Sequence, residues 1–266
     1  MMRKSLLIML ACLAGFAGLA QTRADSIRAR LLDRNDRSVL VVAHRGAWRE
    51  APENSLEAIE KAIQMGVDVV EIDVRRTLGG ELVLHHDRFF FRPAESPTLE
   101  EALLLAKGRV MLNLDKSFGY FRQIMEIAER TGTTSQLIFK SSKKAPDALK
   151  VLGPYKDKVI FMPIVNLNSN GAAAKVEAYV QAMDPPMFEL TFADDKNPAL
   201  TIVQARLNGR SRLWYDSLWP SHCGGHCDAL HMEDPSRGIG WLIDNAGAGA
   251  VQTDIPKELI QYLKTR

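Results

Sequence analysis

The sequence contains little cysteine, which narrows the ways in which the fold can be held together. Three cysteines occur among 266 residues, one near the amino terminus and the other two, Cys223 and Cys227, in the stretch SHCGGHC. A disulfide-rich scaffold would devote a far larger share of its chain to cysteine. We therefore expect an ordinary apolar core, which the apolar content of 46% can supply.

Long apolar runs are absent after the first twenty residues. Those twenty combine a basic start with an apolar stretch from Leu6 to Ala20, which is too short for a membrane span of ~20 apolar residues. The pattern predicts a signal peptide over residues 1–20, with cleavage after Ala20 or alternatively after Ala24. We expect an exported protein, periplasmic or extracellular, and anchoring through a lipidated Cys12 is a less favoured alternative.

A surplus of charge is also missing. Removal of residues 1–20 takes away Arg3 and Lys4, which leaves 32 of the 34 basic residues against 32 acidic ones. The chain therefore lacks the basic footprint of a nucleic-acid-binding protein. No linker, low-complexity run or block of like charge divides it, so we expect one domain over residues 25–266.

Eight runs rich in apolar and β-branched residues alternate with helical patterns along the chain. They are SVLVVAH, GVDVVEIDV, RVMLNLD, SQLIFK, KVIFMPI, PMFELTF, SRLWYD and AGAVQTD. Eight such units predict an α/β fold, a closed eightfold β/α (TIM-type) barrel. An open doubly wound sheet is the alternative, which is disfavoured because no glycine-rich dinucleotide motif follows the first strand.

The start of the first helix after the first strand is also predicted. Asn54 is a good N-cap, and Glu57 three positions later could reach back to it in a capping box. Both residues are therefore expected to have structural roles.

Polar side chains follow three of the predicted strands at the end where the active sites of such barrels lie. They are His44 and Arg45 after the first strand, Glu71 and Asp73 in the second, and Asp115 at the end of the third. Strand side chains alternate, so Glu71 and Asp73 point to the same side. Three converging carboxylates would raise one another's pKa unless a cation held them, and oxygen ligands suit Mg²⁺ or Ca²⁺. The alternative is that they are solvated or form surface salt bridges.

The stretch SHCGGHC allows two readings. Nearby histidines suggest a zinc site, but an exported protein matures where thiols are oxidised. A disulfide between Cys223 and Cys227 is the leading hypothesis, with zinc as the alternative.

A second histidine pair, His85 and His86, ends the run ELVLHHDR, and alternation alone does not choose between them. At this point the motifs resemble a known family. These motifs are HRG at 44–46, PENS at 52–55, EID at 71–73, LVLHHD ending at 87, PTLEEAL at 97–103, LNLDK at 112–116 and QTDIP at 252–256. In order and spacing they are similar to those of the glycerophosphodiester phosphodiesterase family.

The resemblance implies a β/α barrel that binds one divalent cation, Mg²⁺ or Ca²⁺. It implies hydrolysis of a small-molecule or lipid-derived phosphodiester to an alcohol and a phosphomonoester. His44 and His86 match the catalytic histidines, so His86 is chosen over His85. Glu71 and Asp73 match the first two metal ligands, and Arg45 matches the phosphate-contacting arginine.

The third metal ligand departs from the family pattern. Asp115 stands where the family usually has glutamate, and Lys116 follows it directly instead of two positions later. On a regular strand Lys116 would point away from the metal and Ser117 would take its place. Lys140, at the end of LIFK, is then a candidate phosphate contact, and a solvated lysine is the alternative.

An aspartate third ligand is similar to the metal site of spider-venom sphingomyelinase D. A phospholipase D-like lyase that forms a cyclic phosphate therefore stays open as an alternative function, as does a non-catalytic phosphoryl-ligand binding protein.

Two more strand residues are candidate substrate contacts. Glu189 could orient Lys140 or bind a hydroxyl, and Trp214 could stack on the alcohol or pack in the core. Phe89–Phe91 could contact lipid or cover the flank of the barrel.

Overall fold

The computed structural model describes residues 21–87 and 96–266. The predicted signal peptide, Cys12 and Phe89–Phe91 lie outside these residues.

Eight parallel strands form a closed barrel, which confirms the predicted fold class. In chain order they are β1 (Leu40–Ala43), β2 (Val69–Arg76), β4 (Met111–Asp115), β5 (Leu137–Ser141), β6 (Ile160–Asn166), β7 (Met187–Thr191), β8 (Arg212–Asp216) and β9 (Ala248–Thr253). Each strand pairs with the next, and β1 pairs with β9 on one side and β2 on the other, which closes the barrel. All eight runs singled out in the sequence form these strands.

One further strand, β3 (Leu82–Leu84), was not predicted. It pairs antiparallel with the end of β2, with Val74 opposite Leu84. The hairpin continues β2 beyond the barrel wall and returns the chain to the barrel mouth at His85 and His86.

Helices cover the outside of the barrel. They are α1 (Arg23–Leu32), α2 (Leu56–Met65), α3 (Leu99–Ala106), α4 (Phe121–Thr131), α5 (Ala145–Leu152), α6 (Ala172–Met183), α7 (Pro198–Leu207), α8 (Asp228–Glu233), α9 (Ile239–Asp244) and α10 (Pro256–Lys264). α2 packs an apolar stripe against the strands, with Ala58, Ile59 and Ala62 buried at helical spacing.

The predicted cap of α2 is displaced by one residue. Ser55 is the N-cap, and its side chain accepts a hydrogen bond from the Ala58 N–H. Asn54 instead has a left-handed backbone with φ of 57° and turns its amide into the barrel mouth. The reason is that Asn is one of the few residues that tolerate this conformation.

Two apolar layers fill the molecule. One lies between strands and helices, and the other lies inside the barrel and contains Val42, Met111, Ile138 and Trp214 among others. Ile27 and Leu31 of α1 belong to this inner layer, so α1 closes the amino-terminal end of the barrel.

A cavity of about 670 Å³ lies at this closed end, beside the α1–β1 connection and α7. Three of its arginines are paired: Arg34 and Arg210 contact Asp184, and Arg212 contacts Asp36. The polar strand ends lie at the opposite end of the barrel. Among the helices of the described ranges, none has the length and apolar character needed to span a membrane.

Candidate active site

The turn after β1 brings two polar groups into the barrel mouth. Arg45 and Gly46 have φ of 53° and 79°, so the chain reverses directly after His44. A Cβ at Gly46 would lie 2.7 Å from the carbonyl carbon of Ala58, so the close approach of α2 requires glycine here. The reversal points the Arg45 N–H at Glu71 Oε2, 3.0 Å away.

His44 is held by a carboxylate on the neighbouring strand end. Its Nδ1 lies 2.8 Å from Asp254 Oδ1, and its Nε2 lies 3.9 Å from Glu71 Oε2. Burial lowers the pKa of His44, but the Asp254 hydrogen bond and the Glu71 charge outweigh burial and leave the pKa raised. Because Asp254 occupies Nδ1, Nε2 is the ring nitrogen that faces the site. The sequence alone assigned no role to Asp254, which lies within the QTDIP motif.

A buried carboxylate supports Asp254 from behind. Asp228 Oδ2 accepts a hydrogen bond from the Asp254 backbone N–H, and Asp228 Oδ1 accepts from the hydroxyls of Ser217 and Thr253. Burial raises the pKa of Asp228 to about 6. These bonds fix the start of the loop after β9, which carries Asp254 toward His44.

The three predicted carboxylates do converge. Oxygen atoms of Glu71, Asp73 and Asp115 lie within 4.8 Å of one another. The register explains why, because Asp73 on β2 lies directly opposite Asp115 on β4. Burial raises the pKa of Glu71 to about 8, and the charges of Asp73 and Asp115 add to it. Such a set gains most from a bound cation, which removes the mutual repulsion.

Asp73 stays ionised more readily than Glu71 because donors surround it. Lys116 Nζ lies 2.6 Å from Oδ1, and Asn54 Nδ2 donates to Oδ2 at 2.9 Å. Asn54 Oδ1 also accepts a bond from the Asp73 N–H, and Arg45 Nε lies 3.4 Å from Oδ2. Burial raises the pKa of Asp73, but the hydrogen bonds from Lys116 and Asn54 outweigh it and hold the pKa below its ordinary value.

The expectation for Lys116 and Ser117 is wrong. β4 ends at Asp115, and Lys116 has a left-handed φ of 55°, so its side chain turns back into the mouth. Ser117 is buried and donates to the Leu114 carbonyl, away from the carboxylates. The strand alternation used to place them does not apply beyond Asp115.

Lys140 and Glu189 form a buried pair beside the carboxylate cluster. Lys140 Nζ lies 3.1 Å from Glu189 Oε2 and 3.8 Å from Asp115 Oδ2. Burial lowers the pKa of Lys140, but Glu189 and Asp115 outweigh it, so the ammonium stays charged. Of the two roles considered for Glu189, the geometry supports the orientation of Lys140.

The second histidine stands across the mouth. His86 Nδ1 lies 2.7 Å from Asp87 Oδ1, and the side chain is 36% exposed. Its carbonyl oxygen accepts hydrogen bonds from Arg75 and Lys116, which hold this residue in the loop after β3. His85 is tied by its N–H to the Asp73 carbonyl. Each of His44 and His86 therefore has a carboxylate at Nδ1.

In the carboxyl-terminal half, the core alternative for Trp214 is confirmed and the disulfide prediction is not met. Trp214 is fully buried in the inner layer of the barrel, so it packs in the core. Cys223 and Cys227 are free thiols, both buried, and no disulfide links them. Cys223 Sγ donates to the Trp219 carbonyl, and burial raises its pKa, so the thiol stays protonated.

The zinc alternative for this stretch also fails. His226 stacks on Trp241, and His231 packs against Tyr262. In the described part of the chain, the acidic cluster at the mouth is the one group of three side chains close enough to hold a metal.

The rim of the mouth carries residues that the sequence reading had not selected. Trp219 is 46% exposed, and its ring centroid lies 6.1 Å from that of His44 and 5.1 Å from that of His222. His222 Nδ1 lies 3.1 Å from Asp216 Oδ2 at the end of β8. Their signal in the sequence is a further polar strand end, Asp216, with WPSH beginning three residues later at Trp219.

The chemistry of the donor set fits a hard divalent cation. Glu71, Asp73 and Asp115 offer only oxygen, and Glu71 and Asp73 are almost fully buried. Asn113, whose side-chain oxygen and nitrogen are buried without partners, lies opposite Glu71 in the register. Its orphaned amide indicates a polar occupant in this part of the barrel.

Comparison with known proteins finds similarity to glycerophosphodiester phosphodiesterases. The model of the glycerophosphoryl diester phosphodiesterase family matches residues 44–102, and a family described as a domain of unknown function matches residues 161–263. A glycerophosphodiester phosphodiesterase of Caldanaerobacter subterraneus is 39% identical over 75 residues, and a probable glycerophosphodiester phosphodiesterase of Mycobacterium tuberculosis is 45% identical over 69. Each match covers 26% of this chain, and they cover 31% and 25% of those relatives.

Solved structures show the same fold over nearly the whole length. A glycerophosphoryl diester phosphodiesterase of Parabacteroides distasonis has a TM-score of 0.69 at 17% identity, with 91% of this chain and 92% of that chain covered. A phosphodiesterase of Oleispira antarctica, solved with the product sn-glycerol-3-phosphate, has a TM-score of 0.63 at 18% identity, with 88% and 99% covered.

Proposed function

We propose that this chain belongs to the glycerophosphodiester phosphodiesterase family and that it hydrolyses glycerophosphodiester-type substrates to an alcohol and a phosphomonoester. The observation that carries this proposal is the pairing of both histidines with carboxylates around one acidic cluster. Asp254 holds His44 and Asp87 holds His86. A protein that only binds a phosphoryl ligand has no use for two oriented acid–base groups.

The two histidines supply the proton transfers. One imidazole accepts a proton from water as the water oxygen attacks phosphorus, and the other imidazolium gives its proton to the departing alkoxide. The new P–O bond forms as the bond to the alcohol oxygen breaks, so the products are a phosphomonoester and a neutral alcohol. In both histidines Nδ1 is held by a carboxylate, which leaves Nε2 for these transfers.

The acidic cluster is the proposed site for one divalent cation, Mg²⁺ or Ca²⁺, held by Glu71, Asp73 and Asp115. When bound, the cation would stabilise the negative charge that develops on the phosphoryl oxygens. Asn54 and Lys116 orient Asp73 in this set.

Cationic side chains around the cluster are suited to the phosphate group. Arg45 is half-buried beside Asp73, and one of its terminal nitrogens is engaged by Glu53. Lys140 remains charged next to Asp115. We assign Arg45 and Lys140 to the substrate phosphate, since a guanidinium and an ammonium both bind phosphoryl oxygens.

Substitution of the histidines tests this assignment. We expect His44→Ala and His86→Ala each to reduce kcat by about 10²- to 10⁴-fold, because each removes a positioned proton-transfer group. His85→Ala is the matched control and should retain most activity. Release of the alcohol from a glycerophosphodiester measures the rate, and circular dichroism checks the fold. Wild-type turnover in either His44→Ala or His86→Ala would remove that residue from the mechanism.

We also propose export, to the periplasm or outside the cell. The support is the sequence of residues 1–20, with its basic start and apolar stretch. Cleavage after Ala20 would keep Thr22 and Arg23, which make contacts that belong to the fold.

A further inference from the structure

Asp216, Trp219 and His222 form a group at the rim of the mouth, here called the rim group, to which the proposed chemistry assigns no role. Trp219 lies between two imidazoles, with ring centroids 6.1 Å from His44 and 5.1 Å from His222. Nearly half of its surface is exposed. A substrate group that extends from phosphorus past His44 would therefore meet the tryptophan ring.

The position of Trp219 is fixed by its surroundings. Its carbonyl oxygen accepts the His222 N–H at 2.9 Å and the Cys223 thiol at 3.3 Å. Cys223 is fully buried in the core, and Pro220 begins the short helical turn that follows. The ring is thus presented by an anchored turn, and a large apolar side chain held in water indicates a binding role.

The polar members of the rim group are also oriented. Asp216 is buried at the end of β8, with Oδ1 bound by the Leu218 N–H and Oδ2 3.1 Å from His222 Nδ1. His222 is 40% exposed, and Asp216 leaves its Nε2 as the ring nitrogen open to a ligand. The hydrogen bond to Asp216 raises the pKa of His222, burial and Lys140 oppose this, and Glu189 adds to it.

The balance of charge decides which alcohol this surface suits. The carboxylate of Glu189 already faces the Lys140 ammonium, and that of Asp216 is engaged by His222 Nδ1 and the Leu218 N–H. An ammonium headgroup would meet one tryptophan face but no unengaged carboxylate, and the charged Lys140 would repel it. A polyhydroxy ring carries no charge, offers C–H groups to the aromatic face, and can form hydrogen bonds with His222 Nε2.

We propose that the rim group binds the alcohol moiety of the diester and selects a polyhydroxy ring alcohol, such as an inositol or a sugar, over an aminoalcohol. The inference rests on the proposed phosphodiesterase function. Trp219 stacks on the ring, His222 Nε2 contacts its hydroxyls, and Asp216 orients His222. The rim group sets which diester binds, while His44 and His86 carry out the cleavage.

Two substrates that differ only in the alcohol test this selection. We measure kcat and KM for glycerophosphoinositol and glycerophosphoethanolamine with the wild-type protein and with Trp219→Ala, at one fixed concentration of cation. We expect Trp219→Ala to raise KM for the inositol diester by about five- to tenfold and to change its kcat by less than about twofold. For the ethanolamine diester, both kcat and KM should change by less than about twofold. Trp219→Phe keeps an aromatic face and should restore most of the preference. His222→Ala should raise KM for the inositol diester in the same direction.

The outcomes separate this inference from the proposed function. Hydrolysis of both diesters with equal responses to Trp219→Ala would overturn the selection and leave the phosphodiesterase standing. If Trp219→Ala raises KM for the ethanolamine diester alone, the proposed selection is overturned in favour of a rim that binds a cationic headgroup. If bis(4-nitrophenyl) phosphate and both glycerophosphodiesters all resist hydrolysis by the wild-type protein, the proposed function fails and the inference fails with it.

Discussion

Asn54 holds Asp73 at two points, one through its side-chain amide nitrogen and one through its amide oxygen. Both bonds are 2.9 Å long, and the residue is buried. Its left-handed backbone lets the amide reach the carboxylate while Ser55 caps α2. Asn54 is therefore a positioning residue for the proposed cation site.

Asn54→Gly and Asn54→Ala should both lose about 10- to 100-fold in activity and cation affinity, because the support of a metal-binding carboxylate is removed. Glycine accepts the left-handed backbone and alanine does not, so the alanine variant should be less stable by about 1 kcal/mol. Activity measured at increasing cation concentrations gives the cation affinity, and unfolding in urea gives the difference in stability. Unchanged cation dependence in Asn54→Gly would contradict the positioning role.

Asp254 has a comparable role for His44. Asp254→Asn should lower kcat by about 10²- to 10⁴-fold, because an amide no longer fixes the imidazole orientation and proton position that the carboxylate enforces. Trp48 Nε1 donates to the same carboxylate, so Trp48→Phe is the matched control and should retain activity within about threefold. Steady-state kinetics with any cleaved diester measures both variants. Activity of Asp254→Asn equal to that of the control would show that His44 needs no carboxylate.

The residues of the site were predictable to different degrees. Glu71, Asp73 and Asp115 lie within or at the end of regular strands, where alternation and register hold. Lys116 lies one residue past β4 in a left-handed conformation, and no periodic pattern extends to such a residue. Trp214 was ambiguous because a strand residue near the mouth can lie either in the core layer or in the site layer.

At the scale of elements, the first residues of α1 attach this helix to the barrel. Thr22 and Asp25 form a capping box, and Arg23 donates to the carbonyls of Gly66, Val67 and Arg109. Ala24, in the first turn of α1, is buried. These contacts join α1 to the loops at the closed end of the barrel.

Under the proposed export, we predict cleavage after Ala20, so that the secreted chain begins at Gln21. A chain that begins at Asp25 should be less stable than one that begins at Gln21 by about 2 kcal/mol, because it lacks the cap and the Arg23 bonds. Thr22→Ala in the longer chain removes the cap alone and should cost about 1 kcal/mol. The mass of the secreted protein gives its first residue, and urea unfolding compares the three chains. A mature chain beginning at Asp25, or equal stabilities, would contradict this role of α1.

The strands of the barrel were predicted from their runs of apolar residues, whereas the short strand β3 and the stretch SHCGGHC were not predicted correctly. Each barrel strand is a run of apolar residues buried on both faces, which distinguishes it from the helices. β3 has only three residues, and its pairing depends on the end of β2. The stretch SHCGGHC folds by burial of its thiols and by stacking of His226 on Trp241, and neither is visible in the spacing of its residues.

At the scale of the whole molecule, the barrel separates stability from chemistry. α1 and the inner apolar layer occupy one end, and the acidic cluster, the two histidine–carboxylate pairs and the rim group occupy the other. The family match over residues 44–102 contains both histidines, Arg45 and two of the three clustered carboxylates. Asp254 and the rim group lie beyond it, so only the closed barrel brings them to the same mouth.

Phosphorus NMR of the wild-type protein with a glycerophosphodiester is the most direct test of cation-dependent diester hydrolysis. With Mg²⁺ or Ca²⁺ the diester resonance should give way to a phosphomonoester resonance, chelator should stop the conversion, and added cation should restore it. A cyclic phosphate that persists as the product would show that the protein catalyses the lyase reaction and not hydrolysis. Conversion unaffected by chelator, or none with the cation bound, would contradict the account.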